Sequence, residues 1–238
     1  MRNVYHVARR ELNAYLASPI AYVVAAVYLA VLGGLSGFIL YYSREATLRY
    51  TLTHGVTLLF LVLVTQVLTM RLLADEQRQG TIELLLTSPV RDWEVVVGKY
   101  LAGLAVFALM VLLSGYFPIV LMRIGDPDVG VMLSGYLGFL LLGSALLAIG
   151  VFASSVTQNQ VVAAVLGMGI AILMWLSGAL TEFVGEGLRT VIEYLPIFDH
   201  YFDFVRGIID TRHIVYYVSV AVLFLFLSAR VLEARRWR

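Results

Sequence analysis

Two stretches of this 238-residue chain bring charged side chains close enough together to do chemistry. One runs from Arg71 to Glu94 and holds Asp75, Glu76, Arg78, Glu83, Arg91 and Asp92 around Gly80-Thr81. The other runs from Thr181 to Arg212 and holds six acids (Glu182, Glu186, Glu193, Asp199, Asp203, Asp210) against three arginines, with His200 between Asp199 and Asp203. Three candidate ligands within five residues, without a spacing that closes on an ion, make a poor metal site. The reading favoured here is a solvated interfacial cluster, with no metal. Proteolysis inside a membrane would need a Ser with a His, or two Asp, at membrane depth; Ser177-Gly178 has no His beside it, and Asp and His fall only in polar stretches. No phosphate loop of the form G-x-x-x-x-G-K-[ST] exists, since Gly98-Lys99 is followed by Tyr100 and position 93 is Trp. Cysteine is absent, which excludes disulfides, thiolate metal sites and Cys catalysis. The expectation is a chain with no catalytic residue and no cofactor of its own.

The elements that must hold these residues are membrane helices. The composition is 61% hydrophobic and only 14% charged, whereas soluble domains carry about a quarter charged residues. Apolar runs long enough to cross a bilayer recur, and each can satisfy its own backbone only as a helix. Six spans are expected, at about 20–42, 55–71, 98–122, 131–155, 160–181 and 213–230, in one all-α membrane domain covering 1–238. The first is too long for a cleaved leader, and Ser18-Pro19 before it suits a helix start, since proline has no N–H to lose at the first helical position. An even number of spans puts both termini on one side. Eleven basic residues fall on that side (Arg2, Arg9, Arg10; Arg71, Arg78, Arg91, Lys99; Arg230, Arg235, Arg236, Arg238) and six on the other. The excess predicts cytoplasmic termini in the plasma (inner) membrane. Lys99 is the sole lysine, a skew that by itself says little about function.

Residues 1–17 are too few to span. Val4, Val7, Ala8, Leu12 and Tyr15 fall near one helical face with Asn3, His6, Arg10 and Asn13 opposite, the pattern of an interfacial helix that anchors on the cytoplasmic leaflet. The loop 72–97 reads as helix, break at Gly80-Thr81, a short apolar turn Ile82–Leu86 capped by Thr81, then a helix opening at Ser88-Pro89 and running through Trp93 into the third span. Apolar side chains among charges need lipid or a partner to cover them, so this loop fits docking to a soluble protein. Gln66, with Thr65 and Thr69, lies inside the second span and must find a partner there; interhelical contact and a place on a substrate path are both open. Gly33/Gly37, Gly135/Gly138, Gly143/Gly150 and Gly167/Gly169 permit close helix packing. Tyr194, Phe198, Tyr201, Phe202 and Phe204 place segments of 182–212 at, or dipping into, the outer interface. Nothing points to nucleic acid.

The stretch Glu76-x-x-x-Gly80-Thr81-Ile82-Glu83-Leu84-Leu85-Leu86-Thr87-Ser88-Pro89-Val90, followed by Gly98-Lys99-Tyr100, resembles the coupling-loop signature of type-2 ABC transporter permeases (the ABC-2 family). Ser18-Pro19-Ile20-Ala21-Tyr22, the run Ala148–Ser155 with Thr157–Gln160, and His200-Tyr201 with Arg206–Arg212 are similar to its gliding-motility-associated branch, near the permeases of nitrous-oxide-reductase maturation. The resemblance implies a six-span half-transporter that exports its cargo. It pairs with a second permease subunit, identical or paralogous, and docks a separate cytosolic ATPase that binds ATP and Mg. It also implies that Glu76, Arg78, Gly80, Thr81 and Glu83, with the N-terminal helix, contact that ATPase. The competing classes are an ATPase-independent channel or carrier and a structural membrane subunit. A carrier would place ionisable residues within its spans, and these spans contain essentially none.

Overall fold

The computed structural model describes residues 2–43, 45, 47–81, 90–179 and 194–236. The elements are α1 (Arg2–Ala17), α2 (Pro19–Ser43), α3 (Arg49–Thr53), α4 (Gly55–Thr69), α5 (Ala74–Arg78), α6 (Asp92–Ser114), α7 (Tyr116–Ile124), α8 (Val129–Val156), α9 (Gln160–Leu176), α10 (Asp199–Val205) and α11 (Thr211–Arg236). Six helical segments are long and apolar enough to cross a membrane: Pro19–Ser43, Gly55–Arg78, Asp92–Ile124, Val129–Val156, Gln160–Ala179 and Thr211–Arg235. The chain is an all-α membrane protein.

Helix α8 is the most buried span, and α4, α6, α9, α10 and α11 all pack on it. Its small residues make this possible. A Cβ at Gly138 would overlap the Phe204 ring, one at Gly143 the Phe107 ring, and one at Gly150 the side chains of Thr69 and Gln66. In lipid there is no hydrophobic force between apolar helices, so such close approach and the few polar contacts decide which helices meet. Both α8 and α9 open on side-chain caps: Asp128 accepts from Gly130 N at 2.9 Å, and Asn159 from Val161 N at 2.9 Å. By contrast α2 buries only Tyr28 and Leu32 and exposes Val27, Phe38 and Tyr41.

Two sequence expectations change, and one contact adds to a third. The third span is not one straight helix: it breaks at Gly115 between α6 and α7. Pro118 has no N–H to give to the Ser114 carbonyl four residues earlier, and that carbonyl accepts the Tyr136 hydroxyl of α8 at 3.0 Å instead. That span also opens at Asp92, with Val90 and Arg91 non-helical; the Glu94 carboxylate accepts from Arg91 N at 3.1 Å and fixes the start there, while Ser88 and Pro89 lie outside the described residues. Finally, part of the apolar face of α1 packs on protein. Val7 packs against Gly98 of α6, where a Cβ would come within 2.8 Å of the Val7 Cβ, Tyr15 is buried and Leu12 joins the core.

At the end of the bundle away from the termini, α10 tucks Tyr201 and Phe204, with Phe198 ahead of it, fully into the core. It stops at Arg206 because Gly207 takes φ +87°, the left-handed conformation that ends helices.

Candidate functional site

At the end carrying both termini, the second span does not run on as one regular helix. The backbone turns at Met70–Leu73, and one hydroxyl of α8 serves the groups set free: Ser154 Oγ accepts from Leu73 N and Ala74 N, both at 3.0 Å, and donates to Met70 O at 3.0 Å. Gln77 then donates to Ser155 O at 2.9 Å and Ser154 O at 3.3 Å, the last carbonyls of α8. Asp75 accepts from Gln160 Nε2 of α9 at 2.8 Å. Each such buried bond contributes about 0.5–1.5 kcal/mol, and together they fix α5 in orientation. The next turn ends at Gly80, whose φ of +69° only glycine adopts without strain.

Orienting α5 puts Glu76 into a knot of four charges. Lys99 of α6 is completely buried, and its Nζ lies 2.9 Å from Glu11 Oε1 of α1 and 2.9 Å from Glu76 Oε1. Arg10 Nη2 closes the ring from the solvent side, 2.9 Å from Glu11 and 3.0 Å from Glu76. Two cations and two carboxylates alternate, so the cluster is neutral as a whole. Burial pushes the Glu11 carboxyl up, but Lys99 and Arg10 outweigh it, and its pKa lies below the ordinary value. A depressed carboxylate contributes stability above its unfolded pKa and loses it as pH falls through the folded one, so this contact holds at neutral pH and fails only on the acid side of the usual carboxylate range. A polar cavity of about 190 Å³ adjoins the knot, lined by Tyr15, Arg71, Asp75 and Gln79 besides the charged residues. Arg71 stacks 4.6 Å above the Tyr15 ring and donates to Ser18 Oγ at 3.0 Å, while the Tyr15 hydroxyl donates to Leu68 O. Asn3 donates to Glu94 at 3.0 Å. The N-terminal helix, the end of the second span and the start of the third are thereby tied into one unit.

Of the residues singled out in the loop, Glu76 is in the knot. Arg78 and Gly80 are exposed, and Thr81 is exposed and donates to Glu76 O at 3.3 Å. Glu83 and the apolar turn Ile82–Leu86 lie outside the described residues. Sequence reasoning missed Arg10, Glu11 and Lys99 as a group. The available signal was Lys99 itself: a sole lysine at the mouth of an apolar helix must be paired to be buried, but its acids are 88 and 23 positions away. His200, Asp199 and Asp203 do not converge on an ion, and no set of three His, Asp or Glu does so among the described residues; Asp203 turns to His213 instead.

Deeper in the bundle, Gln66 is completely buried and donates to Leu146 O of α8 at 3.1 Å. Thr69 donates to Thr65 O of its own helix at 2.8 Å. The Gln66 Oε1 sits against Gly150 and Gly167, so α8 and α9 both approach through glycine. Gly150→Ala or Gly167→Ala should lower thermal stability through overpacking, by about 1–3 kcal/mol. Gly169→Ala, where a Cβ meets nothing within 4 Å, should leave it unchanged in the same melting experiment; equal behaviour of all three would contradict the close packing.

The sequence model of the ABC-2 family transporter protein matches residues 8–235. The chain belongs to that family. No curated protein matches it. As an ABC-2 permease it is the membrane component of a transporter, a component that is not itself catalytic and that in this family works with an ATPase partner. The knot lies where helix ends from three parts of this permease meet, and the exposed Arg78 of α5 lies two residues beyond Glu76.

Proposed function

We propose that this chain is one half of an ATP-driven exporter: two such subunits, identical or paralogous, pair in the plasma membrane with both termini in the cytoplasm. Each docks a cytosolic ATPase through α1, the exposed end of α5 and the rest of the 72–97 loop. ATP and Mg bind to that ATPase. The observation that carries the reading is the knot of Arg10, Glu11, Glu76 and Lys99. It joins the docking elements rigidly to the second and third spans, so a push on the loop is delivered to helices that pack on α8, the rigid-body route by which packed helices gate. The resemblance at residues 18–22, 148–155 with 157–160, and 200–201 with 206–212 supports the gliding-motility-associated branch.

Topology and energy source are tested together. The chain has no native cysteine, so single probes are clean. An impermeant thiol reagent added to intact cells should label Arg49→Cys and spare Arg91→Cys; the reverse pattern overturns the orientation. Purified permease should neither bind nor hydrolyse ATP, and hydrolysis coupled to transport should appear in proteoliposomes only with the ATPase subunit. Hydrolysis by the contaminant-free permease alone sinks the reading.

A further inference from the structure

At the end of the bundle opposite the knot, α10 is joined to the start of α11 through two imidazoles. His200 Nδ1 lies 2.9 Å from His213 Nδ1, His200 Nε2 lies 3.2 Å from the Tyr194 carbonyl oxygen, and His213 Nε2 lies 3.0 Å from Asp203 Oδ2. Donor accounting fixes the protons. A carbonyl only accepts, so His200 carries its hydrogen on Nε2 and presents a lone pair at Nδ1. A carboxylate only accepts, so His213 Nε2 is the donor to Asp203. If His213 held that hydrogen alone, two lone pairs would face each other across 2.9 Å, and a positive particle has to stand between them. A zinc ion, with Zn–N bonds of about 2.0–2.1 Å, would hold two nitrogens roughly 3.4 Å apart in tetrahedral geometry. That is longer than observed, and no third ligand converges among the described residues. A separation of 2.9 Å is a hydrogen-bond length. The particle is a proton.

We propose that His200 and His213 hold one proton between their Nδ1 atoms, and that this proton latches α10 to the final helix until a second proton releases it. In the latched form His213 is an imidazolium paired with Asp203 and donating to neutral His200, so the three side chains together carry no net charge. On the two rings, the one site left for a further proton is His200 Nδ1. Filling it sets two N–H donors head-on and two positive rings side by side, and the bridge breaks. Among the described residues, the groups facing the pair are the Tyr194 carbonyl, Asp199, Asp203 and Arg206 on the α10 side, and Tyr216 and Tyr217 on α11; Tyr216 stacks on His200 at 3.9 Å. From α8, Ser134 donates to Phe204 O and Phe139 packs on Tyr201, and neither titrates.

Burial pushes His200 below its ordinary value of 6.5, and the neighbouring His213 adds to this, against the Tyr194 hydrogen bond and the Asp199 and Asp203 carboxylates. A base whose folded pKa is depressed contributes above its unfolded pKa and loses that contribution as pH falls through the folded value. On the His200 side the bridge is therefore lost as pH falls. The Tyr216 and Tyr217 hydroxyls, donating to Leu195 O at 2.7 Å and Ile197 O at 2.8 Å, keep the chain ahead of α10 seated throughout, so what is released is α10 itself.

The permease has only four histidines, which suits ¹⁵N-histidine labelling in lipid bilayers with His200→Gln and His213→Gln for assignment. At pH 7.5 His200 should appear as the neutral Nε2–H tautomer, His213 as doubly protonated, with an N–H···N coupling between their Nδ1 atoms. On acidification the coupling should be lost as His200 becomes doubly protonated. Amide exchange across 199–205, corrected for its intrinsic pH dependence, should lose protection at pH 5 in the native chain. It should keep it in His200→Gln, which retains an acceptor and cannot take the second proton. Absence of the coupling at pH 7.5, or the same acid response in His200→Gln, overturns the latch. So does stoichiometric Zn²⁺ binding to metal-free protein that shifts both histidines and is lost in either variant, since that assigns the site to a metal.

Discussion

Replacing Lys99 with Met should destabilise the permease by about 3–5 kcal/mol, because it removes one partner of a buried charge cluster and leaves the others uncompensated. Lys99 is completely buried and, among the described residues, is the only group that reaches both Glu11 and Glu76 from within the bundle. Arg10 still touches both carboxylates, but from a half-exposed position where an ion pair contributes about 0–1 kcal/mol, so it offsets little. At roughly 2–4 °C per kcal/mol for a chain of this size, the melting temperature in detergent should fall by about 6–20 °C. The loss should be local, with α1 cleaved by protease before the spans yield. The triple variant Lys99→Met, Glu11→Gln, Glu76→Gln should recover most of it, since a buried ion pair replaced whole by neutral groups is often no less stable. A Lys99→Met protein that melts like the native one would mean that the knot does not hold α1.

Reversing the exposed charge at the end of α5 should do the opposite, leaving the fold intact and abolishing coupling. Arg78 is exposed while its neighbours Asp75, Glu76 and Gln77 are engaged inside the bundle, so in the isolated subunit its guanidinium is left for a partner. A surface substitution changes folding stability by within about 0.5 kcal/mol. Breaking a charge pair at an interface costs about 2–5 kcal/mol, which weakens association by roughly thirtyfold to several thousandfold. Arg78→Glu, and Glu83→Arg in the same loop, should express and melt normally yet lose ATPase co-purification and transport-linked hydrolysis. Arg49→Glu, at the opposite end, is the control. Full ATPase association in both loop variants would reduce 72–97 to a solvated connection.

What the sequence determined by itself was the medium and the segmentation. Uncharged runs bounded by Arg-rich ends demand helices in lipid, because no other element satisfies its backbone there, and the helix stop before Gly80 and the start at Pro19 follow from one residue's backbone chemistry. What only the tertiary structure decided was the pairing of polar groups across the bundle. Lys99 finds Glu11 and Glu76, Ser154 serves the turn at Met70–Leu73, Gln66 reaches Leu146, and His200 meets His213 rather than the Asp199 and Asp203 of its own segment. The physical reason is that hydropathy records how strongly a segment prefers lipid over water, and every span prefers it about equally. The choice of neighbour is left to close approach at glycines and to isolated hydrogen bonds, whose partners lie up to 91 residues apart and leave no periodic trace. The same cause hid the packing of α1 on α6: its amphipathic stripe suits lipid and protein alike, and only the fold shows Val7 against Gly98.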